Sequence, residues 1–394
     1  MKTLLLACVV LVGFLVYALF WPTRFEPVGW QAPTIAPPAT ASQPMAHLVR
    51  LADNAGTGPE TIAVGPKGRL YAGYADGTIR SFDPNRPAPE GQVFATTNGR
   101  PLGLAFGPSP PASKTHRKPV GTSPADAAAA RSGHTNTAPA PSDTTGHSTL
   151  YVADADQGLL AINRDGEVSV LATAAEGRAL ASTNDVAVAA DGQIYFTDAS
   201  SRWGRPDYRT AILEHHGDGR LLRYDPNSGQ TTVLMHGLQY ANGVALAADD
   251  RYILVAESGA YRLQRYWLKG PLAGQSEVFI DRLPGFPDGV DTDRNGPGFW
   301  IALFAPRNPI LDATAPHPWL RRIIYRLPRW AQPDPARQGH ILRVDGNGHT
   351  TANLIADGVD AYAPVTSVAA TGQWLYLGSL EEQAIGRIPQ PSTP

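Results

Sequence analysis

Six stretches of the chain repeat one pattern: a strand of alternating apolar residues, a tight turn rich in Gly, Asn or Asp, and a second strand. They are RLYAGYADGTIRSFD, TLYVADADQGLLAIN, QIYFTDAS with RLLRYDP, YILVAES with LQRYWL, FWIALF with HILRVDG, and WLYLGSL with AIGRIP. Period-two alternation puts successive side chains on opposite faces of a sheet, so each unit is read as paired strands rather than helix. The positions that open the innermost strand of each unit are Glu60, Leu102, Asn184, Asn242, Asp288 and, approximately, Thr366. With the tract Pro108–Ser148 set aside, four of the five spacings between them are about 40 to 60 residues, the period of a four-stranded propeller blade. The 39 Gly, 36 Pro, 14 Tyr and 8 Trp support a turn-rich β fold. The fold class expected is therefore all-β, a six-bladed β-propeller preceded by an N-terminal transmembrane helix.

That helix is read from Leu4–Trp21, an apolar run without a charge, with Lys2 before it and Arg24 after it. About 18 such residues, each rising 1.5 Å, cross most of a hydrocarbon core. The competing reading, a cleaved signal peptide, has Ala39-Thr40-Ala41 as its cleavage-like motif, which lies far past the apolar run. Residues 1–21 are assigned as a signal-anchor, 22–45 as a Pro/Ala-rich linker without a fold, and 46–394 as the propeller, with 108–148 as a disordered insertion. The only cysteine, Cys8, lies within the apolar run and excludes disulfides and thiol chemistry from the globular part. A net charge of −2 excludes a polyanion-binding surface, so nucleic acid is not a partner. The absence of any N-x-[ST] acceptor fits a bacterial envelope, with the propeller on the periplasmic side of the inner membrane.

Four inner-strand openings carry side-chain oxygens: Glu60 in GPETIAV, Asn184 in TNDVAVA, Asn242 in YANGVALA and Asp288 in FPDGVDT. In a propeller, such positions gather at one end of the central channel. Two carboxylates and two amide oxygens suit Ca²⁺, whereas zinc would call for histidine or thiolate. Taken singly, Asn242-Gly243 and Asp288-Gly289 also read as ordinary turn formers. The segment PHPWLRRIIYRLPRW is read as a helix starting at Pro318, with Leu320, Ile323, Ile324 and Leu327 on one face and Arg321, Arg322 and Arg326 elsewhere. It either caps the ring mouth or meets anionic lipid. Arg100, Trp203 and Tyr208 are candidate substrate-binding residues, each with a structural alternative: an ion pair for Arg100, loop packing for the aromatics. Asp198 and Glu257 are read as bonding backbone amides between blades, and His215-His216 as solvent-exposed residues pointing apart.

TNDVAVAADGQIYFTDASSRWGRPDY, GRLLRYDP, YANGVALAADDRYILVAES, RYWLKG, FPDGVD and LYLGSL resemble the strictosidine synthase-like branch of six-bladed propellers, and within it the adipocyte plasma membrane-associated protein group. Paraoxonases and the regucalcin/gluconolactonase group are more distant relatives. The resemblance implies calcium at Glu60, Asn184, Asn242 and Asp288. It also implies that alkaloid-forming condensation is absent, because Thr366 stands where strictosidine synthases carry a glutamate. Leu102 replaces the paraoxonase histidine, which removes a His-assisted route to activated water. The resulting expectation is a calcium-dependent ester or lactone hydrolase, arylesterase-like and membrane-tethered, with Asp288 orienting or deprotonating water. The alternative is a tethered propeller that binds a ligand or protein partner, with calcium structural.

Overall fold

The computed structural model describes residues 3–6, 9–10, 13, 17, 21–36, 40–53, 55–86, 91–110 and 149–391. Six sheets, each with a core of four antiparallel strands, follow one another along the chain. Their innermost strands are Ile62–Val64, Pro101–Gly107, Thr183–Val188, Ala241–Leu246, Gly285–Thr292 and Ser367–Thr371, numbered here as blades 1 to 6. Each inner strand packs against the next and the sixth packs against the first, closing a ring around a channel.

Closure depends on residues from opposite ends of the sequence. The outermost strand of blade 6 is Val49–Leu51, which pairs antiparallel with Ile385–Pro389 in the register Val49 to Arg387 and Leu51 to Ile385. Blade 5 gains a short fifth strand, Gln43–Pro44, parallel to Thr350–Ala356. Alternation in the sequence implies strands buried on one face, but Thr149–Asp154 and Ile194–Asp198 are buried at every residue. The ring is the reason, since each sheet is covered on both faces by its neighbours. Among the described residues the core accordingly divides into six apolar clusters, each spanning two adjacent blades, such as Tyr151, Phe196 and Leu222 between blades 2 and 3.

Three helices stand over one end of the channel: α1, Tyr208–Glu214; α2, Pro309–Thr314; and α3, Pro318–Arg326. Asn308 caps α2, accepting bonds from the amides of Ile310 (2.9 Å) and Leu311 (3.3 Å), with Pro309 in the first turn. The helix expected from Pro318 is present, but its arginines do not all face outward. Arg321 is buried and donates to the carbonyls of Leu213 (2.7 Å) and Leu311 (3.3 Å), satisfying acceptors that α1 and α2 leave open. α1 and α2, with 7 and 6 residues, carry too few turns to show a helical period in the sequence.

The expected unfolded linker also needs correction. Its residues 22–36 are extended, yet they lie across the helices as a strap. Phe25 is fully buried and stacks on Tyr325 at 4.3 Å, while Trp30 stacks on His215 at 4.1 Å. The amide of Val28 donates to the carbonyl of Glu214 (2.8 Å), and that of Trp30 donates to the carbonyl of Ala315 (3.0 Å). Proline and alanine content argues for an extended chain, but Phe25 and Trp30 supply the apolar area that fixes it in place. His215 is thereby buried rather than solvent-exposed, and burial together with Arg321 and Arg262 lowers its pKa to about 3; His216 is exposed, as expected.

Most of the apolar run, with Cys8, and the insertion from 111 to 148 lie outside the described residues. Among the described residues no helix is long and apolar enough to cross a membrane.

Ring closure through Val49–Leu51 has a measurable consequence. Leu51 is 7% exposed and packs with Tyr74, Phe82 and Ile385, whereas Val49 is 41% exposed on the same strand. Leu51→Ala is expected to cost about 2–4 kcal/mol in denaturant unfolding, and Val49→Ala under about 1 kcal/mol. Equal small losses at both positions would show that the closing strand contributes little.

Candidate functional site

Four inner strands carry a register irregularity at the same place. The pairing of inner and second strand shifts between Pro101 and Gly103, Thr183 and Val186, Ala241 and Val244, and Pro287 and Val290. The residues inside these shifts are Leu102, Asn184-Asp185, Asn242-Gly243 and Asp288-Gly289. A bulge releases a residue from the ladder and re-aims its side chain, here toward the channel mouth. Glu60 and Thr366 sit just before the first residues of their own inner strands. Glu60, Leu102, Asn184, Asn242, Asp288 and Thr366 all line one cavity with room for about 210 Å³ of solvent.

Gly243 and Gly289 adopt ordinary strand conformations, so the turn-former reading of the two pairs does not apply. A Cβ on Gly243 would strike the backbone of Asp288 and Val290, and one on Gly289 would strike the Thr366 carbonyl. Both are glycine because the neighbouring inner strand passes too close for a side chain.

The polar groups are held from behind. Arg100 donates to Glu60 Oε2 at 2.7 Å and to the Gly58 carbonyl at 3.0 Å. The hydroxyls of Thr366 (2.8 Å) and Ser367 (2.7 Å) donate to the Glu60 carbonyl. Asn242 Nδ2 donates to Ser258 Oγ at 3.1 Å, and Ser258 in turn donates to the Pro287 carbonyl at 2.6 Å, linking the site residues of blades 4 and 5. Asp185 bridges blades 3 and 4 by accepting from the amide of Val244 at 2.8 Å. Buried acids at the ends of second strands fix the loops that lead into the site. Asp154 accepts from the Arg100 amide (3.0 Å), Asp198 from the Ala181 (3.1 Å) and Ser182 (2.9 Å) amides, and Glu257 from the Gln239 amide (2.9 Å). Asp198 and Glu257 thus bond backbone amides as expected, but those of the segments leading into the inner strand of their own blade rather than amides between blades, and Asp154 does the same in blade 2.

Of the two carboxyl groups at the mouth, Glu60 is paired with Arg100 and Asp288 has no cationic partner among the described residues. Burial raises the Asp288 carboxyl well above the usual range, the charges of Glu60 and Asp185 raise it further, and the Asn242 side chain partly offsets this. Among the described residues no lysine or arginine forms an ion pair with Asp288. Tyr240, two residues before Asn242, lines the same cavity with its backbone in the left-handed region (φ 62). Burial first, then the negative charges of Asp288 and Glu60, push its phenol pKa upward, so it remains a proton donor. Its role was not legible, because a tyrosine before an Asn-Gly pair carries no signal of its own.

The remaining candidates separate. Tyr208 lines the cavity and meets Phe304 edge-on at 6.0 Å. Trp203 does not line it: it is buried, its Nε1 donates to Glu214 Oε2 at 2.6 Å, and Arg24 lies over its ring at 4.4 Å. Arg100 is likewise behind the wall, committed to Glu60, and cannot reach a ligand in the cavity without leaving it. Leu102, Ile212, Leu213, Phe286, Leu311 and Ile324 form the apolar walls, with Arg205, Arg209 and Arg329 among the polar ones. The opposite end of the channel holds a second cavity of about 590 Å³, which Asp185 and Asp291 line.

Among the described residues no three His, Cys, Asp or Glu side chains cluster in a manner suited to a metal. The donor set at the mouth has only two carboxylates, Glu60 and Asp288; its other two oxygens are amides. That composition, together with an unneutralised Asp288, fits a hard cation with oxygen ligands.

Comparison with known proteins agrees with the ring. The strictosidine synthase family matches residues 184–271, and the N-terminal part of strictosidine synthase-like proteins matches residues 38–82. Adipocyte plasma membrane-associated protein of Salmo salar is 34% identical over 297 residues, covering 71% of this chain and 62% of that protein. The chain therefore spans less than two thirds of the salmon relative. Its Rattus norvegicus counterpart is 30% identical over 360 residues, covering 86% of this chain and 85% of that one. Among solved structures, a gluconolactonase from Xanthomonas campestris has a TM-score of 0.57 at 16% identity, covering 94% of this chain and 99% of its own. The calcium-binding protein regucalcin from Agrobacterium tumefaciens has a TM-score of 0.54 at 16% identity, covering 89% and 95%. These two share the fold. With both conserved-family matches falling on propeller segments and the rat relative aligned over most of both chains, this chain belongs to the strictosidine synthase-like family of six-bladed β-propellers.

Proposed function

We propose that the chain is a calcium-dependent hydrolase of esters or lactones, tethered to a membrane by its apolar N-terminal run with the propeller exported. The observation that carries the reading is that Glu60, Asn184, Asn242 and Asp288, from four different blades, line a single cavity whose other walls are largely apolar. The gluconolactonase and regucalcin likenesses support it at the level of fold. The four side chains would hold the ion, which when bound supplies Lewis-acid polarisation of an acyl carbonyl.

The chain's own groups do the rest. With a cation matching the charge of the site, Asp288 would be ionised, and its carboxylate would accept a proton from water as the water oxygen bonds to the acyl carbon. The ester C–O bond then breaks, and the proton passes from Asp288 to the departing alkoxide. Tyr240, protonated at any physiological pH, offers a hydrogen bond toward the same space. Phe286, Phe304, Leu102 and Leu213 exclude bulk water and favour an apolar acyl or aryl group. Thr366 in place of a last-blade acid argues against amine–aldehyde condensation.

A second reading, a binding propeller in which the ion is structural, draws on the Arg100–Glu60 pair, which already balances one of the two carboxylate charges. Turnover decides between them. The parent protein is expected to hydrolyse phenyl acetate or a member of a lactone panel, with activity lost on chelation and restored by Ca²⁺. Asp288→Asn and Glu60→Gln are expected to lower kcat/KM by about 10²-fold or more, since each removes a charged group from the reacting centre. Calcium-dependent melting without turnover would establish the binding reading, and variant activities equal to the parent would remove these two residues from the mechanism.

The raised Asp288 pKa gives an independent test by stability. Its folded value lies above its unfolded value, so the neutral buried carboxyl favours folding at low pH and that contribution is lost as pH rises through the raised value. In chelator, parent stability is expected to fall with rising pH over that window, and Asp288→Asn to fall less. With Ca²⁺ at about 100 times its dissociation constant, the parent gains about 2.7 kcal/mol, a gain that Asp288→Asn largely loses. Thermal melts across pH, with and without Ca²⁺, read both effects; parallel curves for parent and variant would refute the charge argument.

A further inference from the structure

We propose that the outward face of α3, with Trp330 and Ile310 beside it, rests on the anionic headgroup surface of a bilayer, so that the cavity mouth opens at the lipid surface. The proposal does not depend on the hydrolase reading.

α3 departs at two positions from the polarity of a helix that ends in water. Its buried side carries Arg321, while Trp319 projects outward and is 53% exposed. Trp330, just beyond the helix, is 85% exposed and Ile310 on α2 is 55% exposed. Large apolar side chains exposed together at one end of a ring mark a contact surface rather than chance exposure. Tryptophan beside arginine is the chemistry of the membrane–water interface, where the indole sits among headgroups and the guanidinium meets phosphate. Arg322, Arg326 and Arg329 belong to the same segment, and among the described residues none of the three forms an ion pair with a carboxylate. Each such cation near an anionic leaflet contributes an attraction that salt screens.

The path of the chain selects lipid over another occupant. Arg326 donates to the Tyr17 hydroxyl (2.9 Å) and to the Trp21 carbonyl (2.9 Å), and its guanidinium lies 4.8 Å from the Tyr17 ring. The end of the Leu4–Trp21 apolar run is therefore held on α3 itself, with Trp21 63% exposed next to it. A bilayer that takes up the apolar run lies within reach of Trp319. Ile324, Tyr325 and Arg329 line the cavity from the same segment, so a docked α3 brings the mouth to the surface.

The test uses the full chain incorporated into phosphatidylcholine vesicles with and without phosphatidylglycerol, some prepared with bromine-labelled acyl chains that quench nearby tryptophan. Trp319→Phe/Trp330→Phe is expected to remove more of the bromolipid quenching than the share these two hold among eight tryptophans. Vesicles are expected to protect the parent from aqueous acrylamide, and Arg322→Glu to lower that protection severalfold with phosphatidylglycerol but little without it. Bromolipid quenching that is the same in parent and double variant would overturn the proposal. So would an association between copies in detergent, seen by sedimentation, that the double variant abolishes. Because both tryptophans are exposed, near-ultraviolet circular dichroism is expected to show the double variant folded; if it does not, Arg322→Glu and acrylamide accessibility decide alone.

Discussion

Six inner strands must share one axis, and the space they leave each other is set by backbone rather than side chains. At the hub, the strand of blade 5 lies against Gly243 and the strand of blade 6 against Gly289, closely enough that a methyl group has no room at either position. The same crowding pushes Asn242 and Asp288 out of the ladder into bulges and turns them to the mouth. Close approach and site residue are thus one feature of the chain: a residue that can bind, followed by one that can be passed. Where a glycine does not follow, as at Asn184-Asp185, the second residue is instead a carboxylate that accepts the amide of Val244 in the next blade. A side chain at Gly243 or Gly289 would therefore disturb ring closure and site assembly together.

Electrostatics at the hub runs against folding and is only partly answered. Glu60 has Arg100 at 2.7 Å, a pair whose removal from one side would leave a buried charge, which generally costs about 3–5 kcal/mol. Asp288 has no such partner, and its carboxyl responds by holding its proton to higher pH. Asp185, one strand away, is raised to about 7, and Asp291, further down the channel, to about 6, each chiefly by burial. A column of carboxyl groups in which Arg100 answers Glu60 and Arg294 acts on Asp291, while Asp288 has no arginine, is poor design for stability alone. It is consistent with a site whose charge is matched by something the chain does not itself provide.

The sequence made the ring legible because hairpin alternation survives point substitution: the strands are where RLYAGYADGTIRSFD and its five counterparts put them. It made the site legible because an oxygen-bearing side chain recurred at one register. What it could not convey was contact between distant segments. The ion pair open to Arg100 is the one it makes, but local sequence does not name the partner, since Glu60 lies a full blade earlier. Trp203 looked like a wall of the pocket because it stands in an aromatic loop, yet Glu214, eleven residues on, takes its indole N–H and turns it inward. The strap escaped notice because Pro and Ala dominate residues 22–45, while the information lies in two aromatic residues, Phe25 and Trp30, whose receptors are near Tyr325 and His215.

That strap changes what the helices are for. α1 and α3 present Ile212, Leu213, Ile324 and Tyr325 to the cavity, and their other sides bear Phe25, Val28 and Trp30. A stacked His215 whose pKa is lowered to about 3 adds no charge at neutral pH, so the contact with Trp30 is apolar and persistent across the physiological range. The wall of the cavity is therefore only as firm as the segment behind it. A propeller defined from its first blade strand would keep the ring and the four polar side chains but lose the support for α1 and α3, and with it the shape that excludes water from Asp288. In this chain the N-terminal segment supports the cavity wall from outside, and the boundary of the packed unit falls at the strap rather than at the ring.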